Sequence, residues 1–275
     1  MKRIALVTGA NQGLGFALVA GLSRSLGPGG EVYLTARSRA AGEAAVDELR
    51  REGLAPVFHP LDVTVPESVD ALASTLQERH GGVDIVISNA AARISKDVDP
   101  GLQVRMFVET NNLGTTRVLR AFGPLLRDGG RFVVVASSFG TLRRLPEALH
   151  ARFEAESLDE IDGVMRDYVA AVEAGTTAAD GWPDWINIAS KVGQVAAMRI
   201  FARQARASGL RDVVVNAACP GLVDTAASRP WFADMSSAQT PAEAAVDVVW
   251  LATLPAGSHE PFGCLVRHRE ILPWK

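Results

Sequence analysis

Arg3-Ile4-Ala5-Leu6-Val7 runs straight into Thr8-Gly9-Ala10-Asn11-Gln12-Gly13-Leu14-Gly15, and a helical pattern follows over residues 15–26. The apolar run is strand-like. Three glycines let the backbone turn sharply and come close to a bulky ligand. The helix start beyond them offers free N–H groups and a partial positive charge, which suit a diphosphate. Glycines also make plain turns, so the loop alone is a weak signal. Its place between a first strand and a first helix is what supports a dinucleotide site. The spacing is Gly-x3-Gly-x-Gly, not Gly-x-Gly-x-x-Gly. Gly9, Asn11, Gln12, Gly13, Leu14 and Gly15 are thus candidate cofactor residues.

The same rhythm continues outward. Strand-like runs at 31–36, 55–61, 84–88, 131–137, 212–217 and 262–266 are rich in Val, Ile, Leu or Phe, mostly without polar alternation. Parallel strands covered by helices on both faces read that way. Helical patterns at 40–52, 66–78, 102–126, 188–208 and 240–251 lie between them. Strand then helix, repeated, predicts an α/β doubly wound, mostly parallel seven-stranded sheet, a Rossmann fold, in one domain over 1–275. Residues 142–184 break the rhythm. Their helical pattern over 157–173 predicts a helical flap near the carboxyl edge of the sheet, or a surface insertion without a role. The segment 226–240 has the mixed composition of a substrate-side lid.

Composition narrows the classes. The chain has 275 residues, 48% of them apolar, enough for a large core. No apolar run reaches the roughly 18 residues of a membrane span, and the N-terminal run is too short for a secretory signal. A net charge of −3 argues against nucleic acid as the main partner. Cys219 and Cys264 form no metal or disulfide framework, and the five histidines have no ligand spacing, so no metal is expected. A reducing cytoplasm is the expected setting.

The end of the second strand tests the cofactor. Thr35-Ala36-Arg37-Ser38-Arg39 contains no acid to bind ribose hydroxyls, while Arg37 offers a planar fork of donors to a 2′-phosphate. NADPH is favoured over NADH. The competing reading makes Arg37 and Arg39 solvated charges flanking a helix.

These residues, with Leu61-Asp62-Val63, Asn89-Ala90-Ala91, Asn111-x-x-Gly114, Ser137-Ser138 and Cys219-Pro220-Gly221, resemble the short-chain dehydrogenase/reductases over essentially the whole chain. The branch most similar is that of the monomeric NADPH-dependent carbonyl reductases, which share the long insertion and the Gly181-Trp182-Pro183 that closes it. The resemblance implies that Asp62 and Val63 contact the adenine, and that Asn89, Ala90 and Ala91 line the ribose. It implies that Pro220, Gly221, Val223 and Thr225 meet the carboxamide and diphosphate. Ser138 would hydrogen-bond the substrate oxygen, and Lys191 would hold the nicotinamide ribose. Asn111 would kink its helix and hold a water that relays protons to Lys191. It also implies a monomer.

The residues support this independently, if weakly. Ser138 follows a buried strand at the edge where open α/β sheets bind ligands, although a turn serine would look the same. Lys191, near the start of an apolar helix, opposes the helix dipole and needs a compensating partner or a polar face.

One position departs from the family's Tyr-x-x-x-Lys. Four residues before Lys191 stands Asn187, and the only tyrosines are Tyr33, inside strand two, and Tyr168, in the insertion. Neither reaches the site unless the flap folds inward. Residues 187 and 191 share a helix face, so Asn187 should point at the substrate unless it merely caps the helix. An amide can hydrogen-bond a carbonyl oxygen but cannot deliver a proton to an alkoxide. Three readings stay open. The acceptor needs no strong acid, as with a quinone, an enone or a protonated C=N group. The asparagine is a laboratory substitution in an ordinary carbonyl reductase, one base change away. Or the protein has lost redox catalysis and retains the cofactor for a cyclisation or a regulatory role. Hydride transfer to a carbonyl-type or C=N acceptor on a hydrophobic small molecule ranks first. Phe139, Leu142, Trp182, Trp185, Trp231 and Phe232 are candidate linings of a roomy apolar pocket, or plain core.

Overall fold

The computed structural model describes residues 2–209 and 211–275. Strands β1 (Arg3–Val7), β2 (Gly30–Ala36), β3 (Val57–Pro60), β4 (Val83–Ser88), β5 (Leu126–Val135), β6 (Val214–Ala218), β7 (Leu265–Arg267) and β8 (Glu270–Leu272) form one sheet in the order β3-β2-β1-β4-β5-β6-β7-β8. All neighbours are parallel except β7 and β8. The eighth strand corrects the expected seven. It is three residues long and joins β7 by a two-residue turn, His268 and Arg269, both at positive φ. A strand that short carries no readable period.

Helices α1 (Gly13–Leu26), α2 (Arg39–Arg51) and α9 (Pro241–Ala252) cover one face. Helices α3 (Pro66–His80), α4 (Pro100–Val108), α5 (Gly114–Phe122), α6 (His150–Phe153), α7 (Leu158–Ala174) and α8 (Ile186–Ala207) cover the other. Alternate strand residues serve the two cores: Ile4 and Leu6 in one, Ala5 and Val7 in the other, all buried. That is the period-two consequence of a sheet with apolar layers on both sides. No helix among the described residues is long and apolar enough to cross a membrane.

The pattern read as one helix over 102–126 is four pieces. α4 passes into a π turn, Glu109–Leu113, then α5, then a 3₁₀ turn, Gly123–Leu125. The polar run Glu109-Thr110-Asn111-Asn112 falls on the π turn, but an exposed stretch of α-helix would read the same, so the sequence alone does not show the interruption. Residues 142–184 do not hang over the sheet as a flap. Leu142, Leu145, Leu149, Phe153, Ile161, Met165 and Tyr168 are buried in the main core. Helix α7 is capped at both ends, by the Ser157 hydroxyl and by left-handed Gly175. Asp162, buried on α7, accepts from Thr116 Oγ1 at 2.8 Å and Arg120 at 2.9 Å on α5.

Candidate active site

The glycine loop is held rigidly at the carboxyl end of β1, beside the switch where β1 neighbours both β2 and β4. Buried Thr8 accepts, through Oγ1, the backbone N–H groups of Asn89 and Ala90 at 2.9 Å each. The Asn89 amide donates to the Thr8 and Gly9 carbonyls at 3.0 Å each. Gly9 and Gly13 have φ of +62° and +55°. A Cβ on Gly15 would lie 2.4 Å from the Gly9 carbonyl oxygen and 2.6 Å from Asn89 Nδ2. Only glycine fits that turn. Helix α1 begins at Gly13, two residues before the expected start, and its N-cap, Gln12, makes no side-chain cap. Its first N–H groups thus face the loop. A Cβ on Gly13 would meet the Thr225 methyl at 3.6 Å, so Thr225 lies beside the loop.

Arg37, just after β2, is exposed and without an ion pair among the described residues, whereas Arg39 pairs with Glu43 at 3.3 Å. The fork at Arg37 is the one available to a phosphate. The cradle and this fork fit an NADP-type dinucleotide. Asp62 accepts from the Thr64 backbone and hydroxyl at 2.9 and 2.7 Å. The Val63 side chain is buried in the main core, so a cofactor would meet its backbone.

A cavity of about 410 Å³ opens at the carboxyl ends of β4, β5 and β6. Leu14, Ala91, Asn111, Ser138, Asn187, Lys191, Gly221, Val223 and Thr225 all line it. Gly9, Asn11, Gln12, Gly13, Gly15, Arg37, Asp62, Val63, Asn89, Ala90 and Pro220 lie outside its lining. Ser138 follows β5, and its backbone N–H donates to Cys219 Sγ at 3.1 Å. Asn111 sits in the π turn, buried, with Oδ1 accepting from the Ala92 N–H at 2.7 Å. The expected kink is therefore a π turn, which re-aims backbone groups and recurs at functional sites.

Asn187 is the second residue of α8, whose N-cap is Trp185. The capping role is excluded. The Asn187 side chain makes no hydrogen bond among the described residues and lines the cavity. Lys191, one turn on, donates to Gln194 Oε1 at 2.7 Å. Gln194 Nε2 donates to Thr115 Oγ1 at 3.2 Å, and Thr115 donates to the Asn111 carbonyl at 2.6 Å. This chain of polar groups ties the lysine to the π turn. Burial lowers the Lys191 pKa from its ordinary value to about 8, the nearby Cys219 sulfur pulling weakly the other way. Gln194 was not legible as a site residue; its one signal is a glutamine on the apolar side of the helix.

Tyr168 does not replace the missing tyrosine. It is buried against Trp182, ring centroids 4.7 Å apart, away from the cavity. Burial holds its phenol well above the ordinary value and its hydroxyl has no partner. Of the aromatic candidates, Phe139, Trp185, Trp231 and Phe232 line the cavity, while Leu142 and Trp182 are core. Trp185 packs against Phe139 at 5.2 Å and Trp231 at 5.5 Å. The segment 226–240 contributes Ala227, Ser228, Trp231 and Phe232 to the wall. Its neck is closed by Asp224 N–H to Gln239 O at 2.8 Å and Gln239 N–H to Leu222 O at 2.9 Å. Arg93, Ile94, Phe107, Leu222 and Arg267 also line the cavity and were not singled out from sequence. Phe107 lies on α4 and the others on loops or a strand end, and their meeting is tertiary.

Residues 3–148 match the family model described as short chain dehydrogenase. The chain is 36% identical over 281 residues to Carbonyl reductase [NADPH] 1 of Rattus norvegicus, covering 99% of each chain. It is 37% identical to Carbonyl reductase [NADPH] 3 of Mus musculus, again covering 99% of each. Among solved structures it resembles salutaridine reductase from Papaver somniferum, with a TM-score of 0.81, 27% identity, and coverage of 96% of this chain and 99% of that one.

Proposed function

The chain belongs to the short-chain dehydrogenase/reductase family, and from that premise we propose that it is an NADPH-dependent reductase of carbonyl compounds. The convergence of Ser138, Asn187 and Lys191 on one cavity, beside the glycine cradle, carries the reading. Arg37 supports a 2′-phosphate, and the relatives are named for NADPH and for carbonyl reduction.

NADPH, when bound, supplies the hydride; all else falls to the protein. Gly9 to Gly15 and the start of α1 hold the diphosphate, and Arg37 the 2′-phosphate. Ser138 Oγ and the Asn187 amide donate hydrogen bonds to the substrate oxygen, stabilising charge as it develops. Lys191, with a pKa of about 8, is protonated at neutral pH yet close to giving its proton up. It protonates the product oxygen directly or through a water and is resupplied from solvent, while Gln194 and Thr115 hold its ammonium in place. Acceptors whose anion is delocalised, such as quinones and enones, or which arrive already protonated, such as iminium groups, place the least demand on that step. Phe139, Trp185 and Trp231 provide flat apolar contacts for such molecules. Residues 226–240 serve as the lid, and 1–275 works as one domain. With α7 packed over α4 and α5, the chain is read as a monomer.

The test is NADPH consumption with a quinone, an aromatic ketone and a cyclic imine, in parallel with NADPH titration. Cofactor binding without turnover of any of the three would overturn the redox reading.

A further inference from the structure

The cavity wall is electrically one-sided. Three cations line it, Arg93, Lys191 and Arg267, and no carboxylate does. The chain as a whole carries a net charge of −3, so a wall with cations only is not its general character. A cleft that shares Ser138 adds Arg143 and Arg144, both exposed and unpaired among the described residues.

Arg267 stands apart. It ends β7, and its guanidinium makes no hydrogen bond or ion pair among the described residues. Its Nε is buried without a partner. Glu270 lies opposite it in the β7–β8 register but does not reach it within ion-pairing distance. The turn that fixes this hairpin pairs Arg269 with Asp247 at 3.0 Å, which leaves Arg267 alone on the cavity side. A buried donor left without an acceptor is costly, so a half-buried guanidinium with its Nε in that state at a ligand cavity calls for an anionic acceptor.

The cofactor does not supply that acceptor. Its phosphates belong to Gly9–Gly15 and to Arg37 at the end of β2. Arg267 is at the end of β7, on the opposite side of β1 in the strand order. It is instead close to the reacting groups. Cys219 donates through its backbone to the Val266 carbonyl at 2.8 Å and accepts the Ser138 N–H on its sulfur at 3.1 Å. One residue thus spans from the oxygen-binding serine to the strand residue before Arg267.

We propose that Arg267 is a specificity residue that binds a carboxylate, or an equivalent anion, on the substrate. The preferred acceptor is an aromatic or apolar carbonyl compound with an acidic group a few bonds from the carbonyl. The aromatic wall takes the ring, Ser138 the oxygen, and Arg267 the anion. Arg93, exposed at the rim, and Arg143 and Arg144 in the adjoining cleft add attraction at longer range. This rests on the reductase reading above for its turnover assay but not for its binding assay.

The experiment compares 4-oxo-4-phenylbutanoate with its methyl ester, by NADPH oxidation and by calorimetric binding to the protein loaded with NADP⁺. The acid is expected to show a KM and a Kd about tenfold or more lower than the ester. Arg267→Leu collapses that ratio toward one, and raised salt lowers it. Arg267→Lys, which keeps the charge but not the fork, retains part of it. Thermal melting confirms that both variants are folded. Equal KM and Kd for acid and ester, or a preference that survives Arg267→Leu, overturns the subsite. Turnover of the ester at an equal KM would do so while leaving the reductase reading intact. Tight, Arg267-dependent binding of the acid without turnover of either compound would support the subsite and count against the reductase reading.

Discussion

Restoring tyrosine at position 187 isolates the proton-transfer step. The Asn187 side chain makes no hydrogen bond among the described residues and lines the cavity, so Asn187→Tyr breaks no such bond and places a phenol one helical turn from Lys191. The ammonium beside it would lower the phenol pKa toward the working range. A positioned acid contributes roughly 10²–10⁴ in rate. Lys191, with a pKa near 8, is still mostly protonated at pH 7 and covers part of that task. The expected gain is therefore at the low end, about 10²-fold in kcat for an unactivated aromatic ketone. For a quinone, whose anion is weakly basic, it should be less than about tenfold. The assay is NADPH absorbance at saturating cofactor, with NADPH affinity measured separately to show that the cofactor site is intact. In the parent protein, kcat for the ketone should fall as pH rises through about 8, as Lys191 loses its proton. A folded, NADPH-binding Tyr variant with no gain on the ketone would refute the assignment of position 187 as the vacated acid site.

Four further outcomes follow from the geometry. Lys191→Met should abolish turnover yet stabilise the cofactor-free protein by about 1–2 kcal/mol at pH 7, because folding desolvates a charged amine; chemical denaturation reads this. With Lys191 present, the lowered pKa means that the unfolded chain binds more protons between about pH 8 and the ordinary lysine value, so its contribution to stability improves as pH rises through that window. Arg37→Ala should raise the KM for NADPH about tenfold or more while leaving that for NADH nearly unchanged, since only the former carries the extra phosphate. Gly15→Ala should abolish cofactor binding in titration, given a Cβ 2.4 Å from the Gly9 carbonyl oxygen. Asp162→Ala should cost about 1–3 kcal/mol in urea denaturation, as it removes the buried acceptor of Thr116 and one of the two α7 acids that hold Arg120, Asp159 remaining.

Much of this protein was legible in its sequence because short-range rules govern it. Two-sided apolar strands, amphipathic helices between them and a glycine turn after the first strand fix a doubly wound sheet, since parallel strands admit few other arrangements. The vacancy at the tyrosine position was equally local, a matter of counting four residues along one helix. What lay beyond reach depended on segments distant in the chain coming together. The π turn at Asn111 falls on a polar run, Glu109 to Asn112, that an exposed stretch of α-helix would show equally. The insertion was read as a flap, but its apolar residues are core, which only packing against α4, α5 and α8 decides. Thr8 as the clamp of the loop, Gln194 as the partner of Lys191 and Arg267 as a bare cation in the wall each take their meaning from a neighbour far off in sequence. A residue's type states what it can bond to; whether a partner stands within 3 Å is settled by the fold alone.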